Sequence, residues 1–317
     1  MNKQTALLGD ISPQEFLRDY WQKKPLLIRS AIADFEPPID GDELAGLALE
    51  PEVESRLVIG QDWQLENGPF AEQRFQTLPP SHWTLLVQAV DLWVPEVAAL
   101  LERFTFLPPW RLDDIMVSYA EDGGSVGPHF DYYDVFLLQG SGQRRWQIGQ
   151  VCDSNRPLLA DTDLKILSEF NATEEWVLNC GDMLYIPPKI AHHGVAIGEC
   201  TTFSVGFRAP SATDMLDDLA TELLSRGLAP NYLTDPPLTP EMATDKIPEA
   251  YIAKIRSLML ELLDDDQLLA QWFAQYMTEP KYPMLLDETG EKRTASVQTF
   301  ESDGSAVISH YENGLKA

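Results

Sequence analysis

The stretch Gly123-Gly-Ser-Val-Gly-Pro-His129-Phe-Asp131-Tyr-Tyr-Asp-Val-Phe-Leu-Leu-Gln-Gly140-Ser-Gly142-Gln-Arg144-Arg145 decides how the rest of the chain is read. His129 and Asp131 are two residues apart, and side chains on extended backbone repeat with period two, so an imidazole and a carboxylate face the same way and can share a metal ion. Gly127-Pro128 sets a turn before them, and residues 134–139 read as an apolar strand. Gly140-Ser141-Gly142 reads as a hairpin connection, which predicts that residues 143–148 return antiparallel beside that strand. On the returning strand Arg144, Trp146 and Ile148 share one face, and Arg145 and Gln147 the other. A second stretch, Tyr185-Ile-Pro-Pro-Lys-Ile-Ala-His192-His193-Gly194, offers a further imidazole. An extended segment cannot turn both histidines inward, and the pattern does not choose between them. Two histidines and one carboxylate with open positions favour non-haem Fe(II) and oxygen chemistry.

With 317 residues, 44% of them hydrophobic, the chain has material for one large domain and one or two small ones. Acidic residues number 50 against 23 basic, a formal charge of -27. Such a balance argues against nucleic-acid or anionic-membrane binding and favours a basic partner, while also serving solubility. Cys152, Cys180 and Cys200 are odd in number and form no CxxC pair, so neither a disulfide framework nor a cysteine zinc site is expected, and a reducing cytoplasm fits. The start, Met1-Asn-Lys-Gln-Thr, lacks a basic-then-apolar leader, and no apolar run is long enough to span a membrane.

Ser12-Pro13-Gln14-Glu15 predicts a capped helix carrying Phe16, Tyr20 and Trp21 and ending by Pro25, followed by a short strand at 26–28. Residues 41–57 read as an amphipathic helix, and 83–101 have helical apolar spacing. Residues 113–119 read as a strand with Met116 and Ser118 on one face and Val117 and Tyr119 on the other. After loop-like residues 153–173, strands are expected at 175–178, 183–188 and 201–208, with a turn at 179–182. Many short strands without βαβ spacing predict a mainly β fold with added helices, an antiparallel sandwich or barrel. Beyond Pro210 the pattern becomes helical: 211–225, with Ser211 and Asp214 as a capping box, then a proline-rich loop at 230–248 and helices at 249–263 and 266–277. Their wide apolar faces (Ile252, Ile255, Met259, Leu262; Leu269, Trp272, Phe273, Tyr276) suit either a dimer interface or packing within the chain. Strand-like alternation returns at 306–309.

A 2-oxo acid chelating the metal needs a cation for its far carboxylate. Arg144 is the candidate, being permanently charged and planar, and Ser118, one strand earlier, can add a hydroxyl donor or be a satisfied core hydroxyl. Tyr132 and Tyr133, beside the metal pair, can pack or can hold a flat or cationic substrate side chain. His82 and His310 lie far from the cluster and read as surface or packing residues.

Tyr20-Trp21-x-Lys23-Lys24-Pro25-Leu26, Gly127-Pro128-His129-x-Asp131, Gly140-x-Gly142-x-Arg144-x-Trp146 and Tyr185-Ile186-Pro187-Pro188 before His192 together resemble the JmjC oxygenases, and more closely the bacterial ribosomal oxygenases. The resemblance runs from about residue 15 to 276. It implies a double-stranded β-helix (cupin/JmjC jelly roll) over residues 1–210, a helical dimerisation domain at 211–278, and a C-terminal segment at 279–317, short for the winged helix of that family. It further implies Fe(II) held by His129, Asp131 and His192, with His193 in a variable place, and 2-oxoglutarate bound by Arg144 and Ser118. The implied reaction consumes 2-oxoglutarate and dioxygen, and hydroxylates an arginine β-carbon in the sixteenth protein of the large ribosomal subunit. Histidine hydroxylation and lysine demethylation are alternatives on the same scaffold, as is a non-catalytic module that binds ribosomal proteins. The implied partners are a basic ribosomal protein and a second copy of the chain, without membrane or direct nucleic-acid contact.

Overall fold

In the computed structural model, described for residues 7–160, 162–227, 231–242, 245–300 and 305–317, the chain divides into two units. The first comprises Met1–Ala209 and Lys281–Glu291, the second Pro210–Pro280 and Lys292–Ala317. Residues 1–6, 161, 228–230, 243–244 and 301–304, on which parts of the readings above fell, lie outside the described residues.

In the first unit, α1 (Pro13–Asp19) starts where expected. Ser12 Oγ accepts from Glu15 N at 3.2 Å, Pro13 sits at the first helical position, and Phe16 is fully buried. Its ring meets Tyr185 edge-on at 5.0 Å, and burying such a side chain stabilises by roughly 1.5–3 kcal/mol. The strands are β1 (Leu26–Ile28), β2 (Ser55–Ile59), β3 (Gln64–Asn67), β4 (Trp83–Val87), β5 (Leu112–Ala120), β6 (Val135–Gln139), β7 (Gln143–Val151), β8 (Glu174–Asn179), β9 (Met183–Ile186), β10 (Ile190–Ile197) and β11 (Cys200–Phe207). They pair antiparallel in two sheets, one ordered β1-β9-β6-β11-β5-β4-β2-β3 and the other β10-β7-β8. This is the mainly β jelly-roll expected. β6 is buried along its whole length: Phe136 and Leu138 enter the larger core, while Val135 and Leu137 pack with Trp146, Ile148 and Leu184.

Three expectations are corrected. The helix expected at 41–57 is α2 (Gly41–Leu47), opened by a capping box between Asp40 and Glu43. Pro51 follows its end, and residues 55–59 extend to pair with β4. The helix expected at 83–101 begins instead with β4, hydrogen-bonded on both edges to β2 and β5. Between β3 and β4 lies the short α3 (Glu72–Gln76), and only after an extended Val94 does α4 (Pro95–Leu101) start, with Pro95 at its first position. The hairpin expected at 140–142 is a corner. Both edges of β6 are already taken by β9 and β11, so β7 leaves that sheet and pairs with β8 and β10 in the other. A Cβ on Gly140 would fall 2.2 Å from Thr201 Oγ1, and one on Gly142, where φ is +62°, 2.1 Å from the Glu199 carbonyl oxygen.

The turn at 179–182 between β8 and β9 is tied by Asp182. Its carboxylate accepts from Asn179 N and Ser30 N, both at 2.9 Å, and from Arg29 Nη1 at 2.6 Å.

The second unit holds α5 (Ala212–Ser225), with the expected Ser211–Asp214 box, α6 (Glu249–Glu261) and α7 (Asp266–Thr278). Leu219, Leu268 and Trp272 form its core, and Trp272 Nε1 donates to Asp218 at 2.6 Å. Ile252, Ile255 and Met259 of α6 are exposed. In the first unit α8 (Leu286–Thr289) lies in the segment after Lys281. β12 (Thr294–Phe300), β13 (Ala306–Glu312) and β14 (Leu315–Lys316) make an antiparallel sheet in the second unit. Among the described residues no helix is long and apolar enough to cross a membrane.

Candidate active site

His129 and Asp131 lie in the extended segment ahead of β6, and His192 lies on β10. Two backbone hydrogen bonds bring these stretches together: His129 N to His192 O at 3.0 Å and His192 N to His129 O at 2.8 Å. One ligand atom from each of the three side chains falls within 4.8 Å of the others. Asp131 Oδ2 is 3.9 Å from His129 Nε2 and 3.6 Å from His192 Nε2. Each imidazole places Nδ1 at 3.0 Å from a backbone carbonyl, Gly127 O for His129 and Ile190 O for His192. With the proton on Nδ1, both Nε2 lone pairs turn toward the carboxylate. Burial, and then the neighbouring His129, push the pKa of His192 down to about 4, so its imidazole is neutral at neutral pH. Two imidazoles and a carboxylate, with no fourth ligand residue grouped with them among the described residues, fit a divalent first-row metal with open positions.

The three open onto a cavity of about 450 Å³ that Arg144, Ser118, Trp146 and Tyr133 also line. The corner at 140–142 changes the strand that carries Arg144, not its facing: Arg144, Trp146 and Ile148 are buried while Arg145 is exposed. Arg144 is 5% exposed, and its Nε and Nη2 have no hydrogen-bond partner among the described residues; the same holds for Trp146 Nε1. A cation buried without an anion is costly, so this guanidinium fits a carboxylate ligand entering the cavity. Ser118, on β5, is buried with its residue facing the same space, whereas Val117 and Tyr119 join the larger core.

Tyr132 and Tyr133 part company. Tyr133 lines the cavity while 42% of its surface stays exposed, and desolvation of its hydroxyl together with the Asp131 carboxylate pushes the hydroxyl pKa up. Tyr132 does not line it and packs edge-on against Phe130 at 5.3 Å. His193 places Nε2 at 3.1 Å from Ser125 Oγ rather than in the triad. His82 and His310 hydrogen-bond with Ser81 and Ser296 and take no part in the cavity.

The acidic part of the cavity has no counterpart among the residues the sequence singles out. Asp114, 4% exposed, accepts from Gln88 Nε2 at 2.6 Å, Ala89 N at 3.0 Å and Lys281 Nζ at 2.8 Å. Asp113 takes Lys281 Nζ at 3.1 Å and Arg208 Nε at 3.3 Å. Paired carboxylates at the head of an otherwise apolar strand were the available signal. Nothing local marked Lys281.

Residues 99–215 match the model of the JmjC domain. The chain is 40% identical over 272 residues to ribosomal protein uL16 3-hydroxylase of Escherichia coli, covering 85% of this chain and 72% of that protein. It is 38% identical over 290 residues to a probable ribosomal oxygenase of Haemophilus influenzae, covering 88% and 72%. Among solved structures, a ribosomal oxygenase from Escherichia coli in complex with cobalt and 2-oxoglutarate superposes with a TM-score of 0.78 at 35% identity, over 97% of this chain and 86% of that one. The same oxygenase with cobalt and succinic acid gives 0.77 at 34% identity, again over 97% and 86%.

Proposed function

Because the chain belongs to the JmjC-domain ribosomal oxygenases, we propose that it is a 2-oxoglutarate- and Fe(II)-dependent hydroxylase of an arginine side chain on a basic protein of the large ribosomal subunit, uL16. The observation that carries this is the buried guanidinium of Arg144, whose Nε and Nη2 have no hydrogen-bond partner among the described residues, facing the same cavity as His129, Asp131 and His192. In this reading the three side chains hold the iron. Iron, 2-oxoglutarate and dioxygen supply the oxidising chemistry, which yields succinate and carbon dioxide and leaves one oxygen atom in a C–H bond. Arg144 pairs with the far carboxylate of 2-oxoglutarate, and the Ser118 hydroxyl donates to it. Tyr133 offers a basic side chain an aromatic wall, Asp113 and Asp114 line the cavity in ion pairs with Lys281 and Arg208, and Tyr132, outside the lining, packs against the cavity-lining Phe130.

The net charge of -27 speeds encounter with a cationic protein. The same reading assigns residues 1–210 to catalysis, 211–278 to dimerisation through the exposed apolar side chains of α6, and 279–317 to an accessory C-terminal segment, in a cytoplasmic homodimer. The test is incubation with Fe(II), ascorbate, 2-oxoglutarate and the ribosomal protein, followed by mass spectrometry of the product. One added oxygen on an arginine is expected. No product from protein shown to contain iron overturns the reading, and oxygen on a histidine or loss of a methyl group from a lysine redirects it. His129→Ala removes both bound iron and product.

A further inference from the structure

Trp146 follows Arg144 by two residues on β7 and shares its inward face. The Arg144 Cζ stands 5.8 Å from the centre of the indole, and the His192 ring lies 5.9 Å away. The indole therefore neighbours both the cation and a member of the metal triad. It is 4% exposed, lines the cavity, and its Nε1–H has no acceptor among the described residues. Buried N–H groups in folded proteins are nearly always bonded, and an orphan one marks a place where a ligand or water supplies the acceptor.

The position of the ring is specified from the neighbouring strand. Gly194 is the register partner of Trp146 on β10, and a Cβ there would fall 2.7 Å from indole carbons. Only a residue without Cβ lets the indole lie against β10 at this point.

We infer that Trp146 is a third co-substrate-binding residue beside Arg144 and Ser118, its Nε1–H donating to the 2-oxoglutarate carboxylate that Arg144 pairs with, while Gly194 leaves the ring its room. The inference rests on the proposed function. A carboxylate has lone pairs for both an arginine fork and an indole N–H. A charge-assisted bond of this kind, made only with the dianion present, raises affinity for dicarboxylates without touching the metal.

The test uses protein loaded with Zn(II), a diamagnetic and redox-inert stand-in, labelled with 15N in the tryptophan side chains. Titration with 2-oxoglutarate is expected to move the Trp146 indole N–H signal downfield, the signal being identified by its loss in Trp146→Phe. That variant is expected to bind 2-oxoglutarate about tenfold or more weakly with unchanged zinc affinity, the effect of one hydrogen bond to a charged acceptor. Trp146→His, which keeps an N–H, recovers part of the affinity. Should Trp146→Phe not fold, sequential assignment of the wild type leaves the titration decisive. Arg144-dependent 2-oxoglutarate binding with an unmoved Trp146 signal overturns this inference alone. Absence of 2-oxoglutarate binding by the wild type overturns the proposed function and this inference with it.

Discussion

Replacing Arg144 by methionine makes the ligand-free protein more stable and the ligand-bound one less so. Arg144 is buried with two guanidinium nitrogens that have no hydrogen-bond partner among the described residues, and each unsatisfied buried donor costs about 1–3 kcal/mol. The ring of Trp146, 5.8 Å from Cζ, returns about 0.5–2 kcal/mol as a cation–π contact. Methionine keeps the length of the side chain without the polar atoms, so Arg144→Met gains on the order of 2 kcal/mol without ligand. At about 2–4 °C per kcal/mol for a domain of this size, its Tm rises by about 4–8 °C. Saturating 2-oxoglutarate, at about a hundred times its Kd, stabilises the wild type by about 2.7 kcal/mol and leaves the variant unchanged. The order of the two melting temperatures therefore reverses between scans with and without 2-oxoglutarate in calorimetry of the metal-loaded protein. A variant that melts below the wild type without ligand, and still rises on adding 2-oxoglutarate, refutes the assignment of Arg144 as a cation awaiting a carboxylate.

Asp182 is buried, which alone would raise its pKa, but the N–H groups of Asn179 and Ser30 and the Arg29 guanidinium hold it below the ordinary carboxylate value. It therefore adds stability that is complete above the unfolded pKa of about 4 and is lost as pH falls through the folded value. Asp182→Asn should lower stability at neutral pH and flatten its decline in acid, as read by urea unfolding across pH. Gly142→Ala places a Cβ against the Glu199 carbonyl at positive φ and should cost more than about 2 kcal/mol in the same assay. Tyr133→Ala should raise the KM for the ribosomal protein several-fold while Tyr132→Ala changes it little, because only Tyr133 lines the cavity. Equal effects in steady-state kinetics would contradict that separation.

What could be read from the sequence follows the range of the interaction responsible. The facing of His129, Asp131, Arg144 and Ser118 depends only on two-residue alternation, a local property, and the structure turns all four toward one cavity. The partner of β7 depends on which strands occupy the edges of β6, and a Gly-Ser-Gly turn serves a corner as well as a hairpin. Residues 83–101 are apolar enough for either element, and the choice of strand at 83–87 comes from pairing with β2 and β5. Lys281 meets Asp114 from 167 residues away, a contact without any local signature.

The double hydrogen bond joining His129 to His192 has a thermodynamic consequence. The fold, rather than the ion, bears the entropy of closing the chain between these two ligands. An arriving cation thus meets donors already templated, and its binding free energy is spent on dehydration and coordination instead of on ordering polypeptide. Unlike a zinc finger, whose metal and fold are gained and lost together, such a centre can be stripped by a chelator and reloaded with another divalent ion while the sheets around it stay folded.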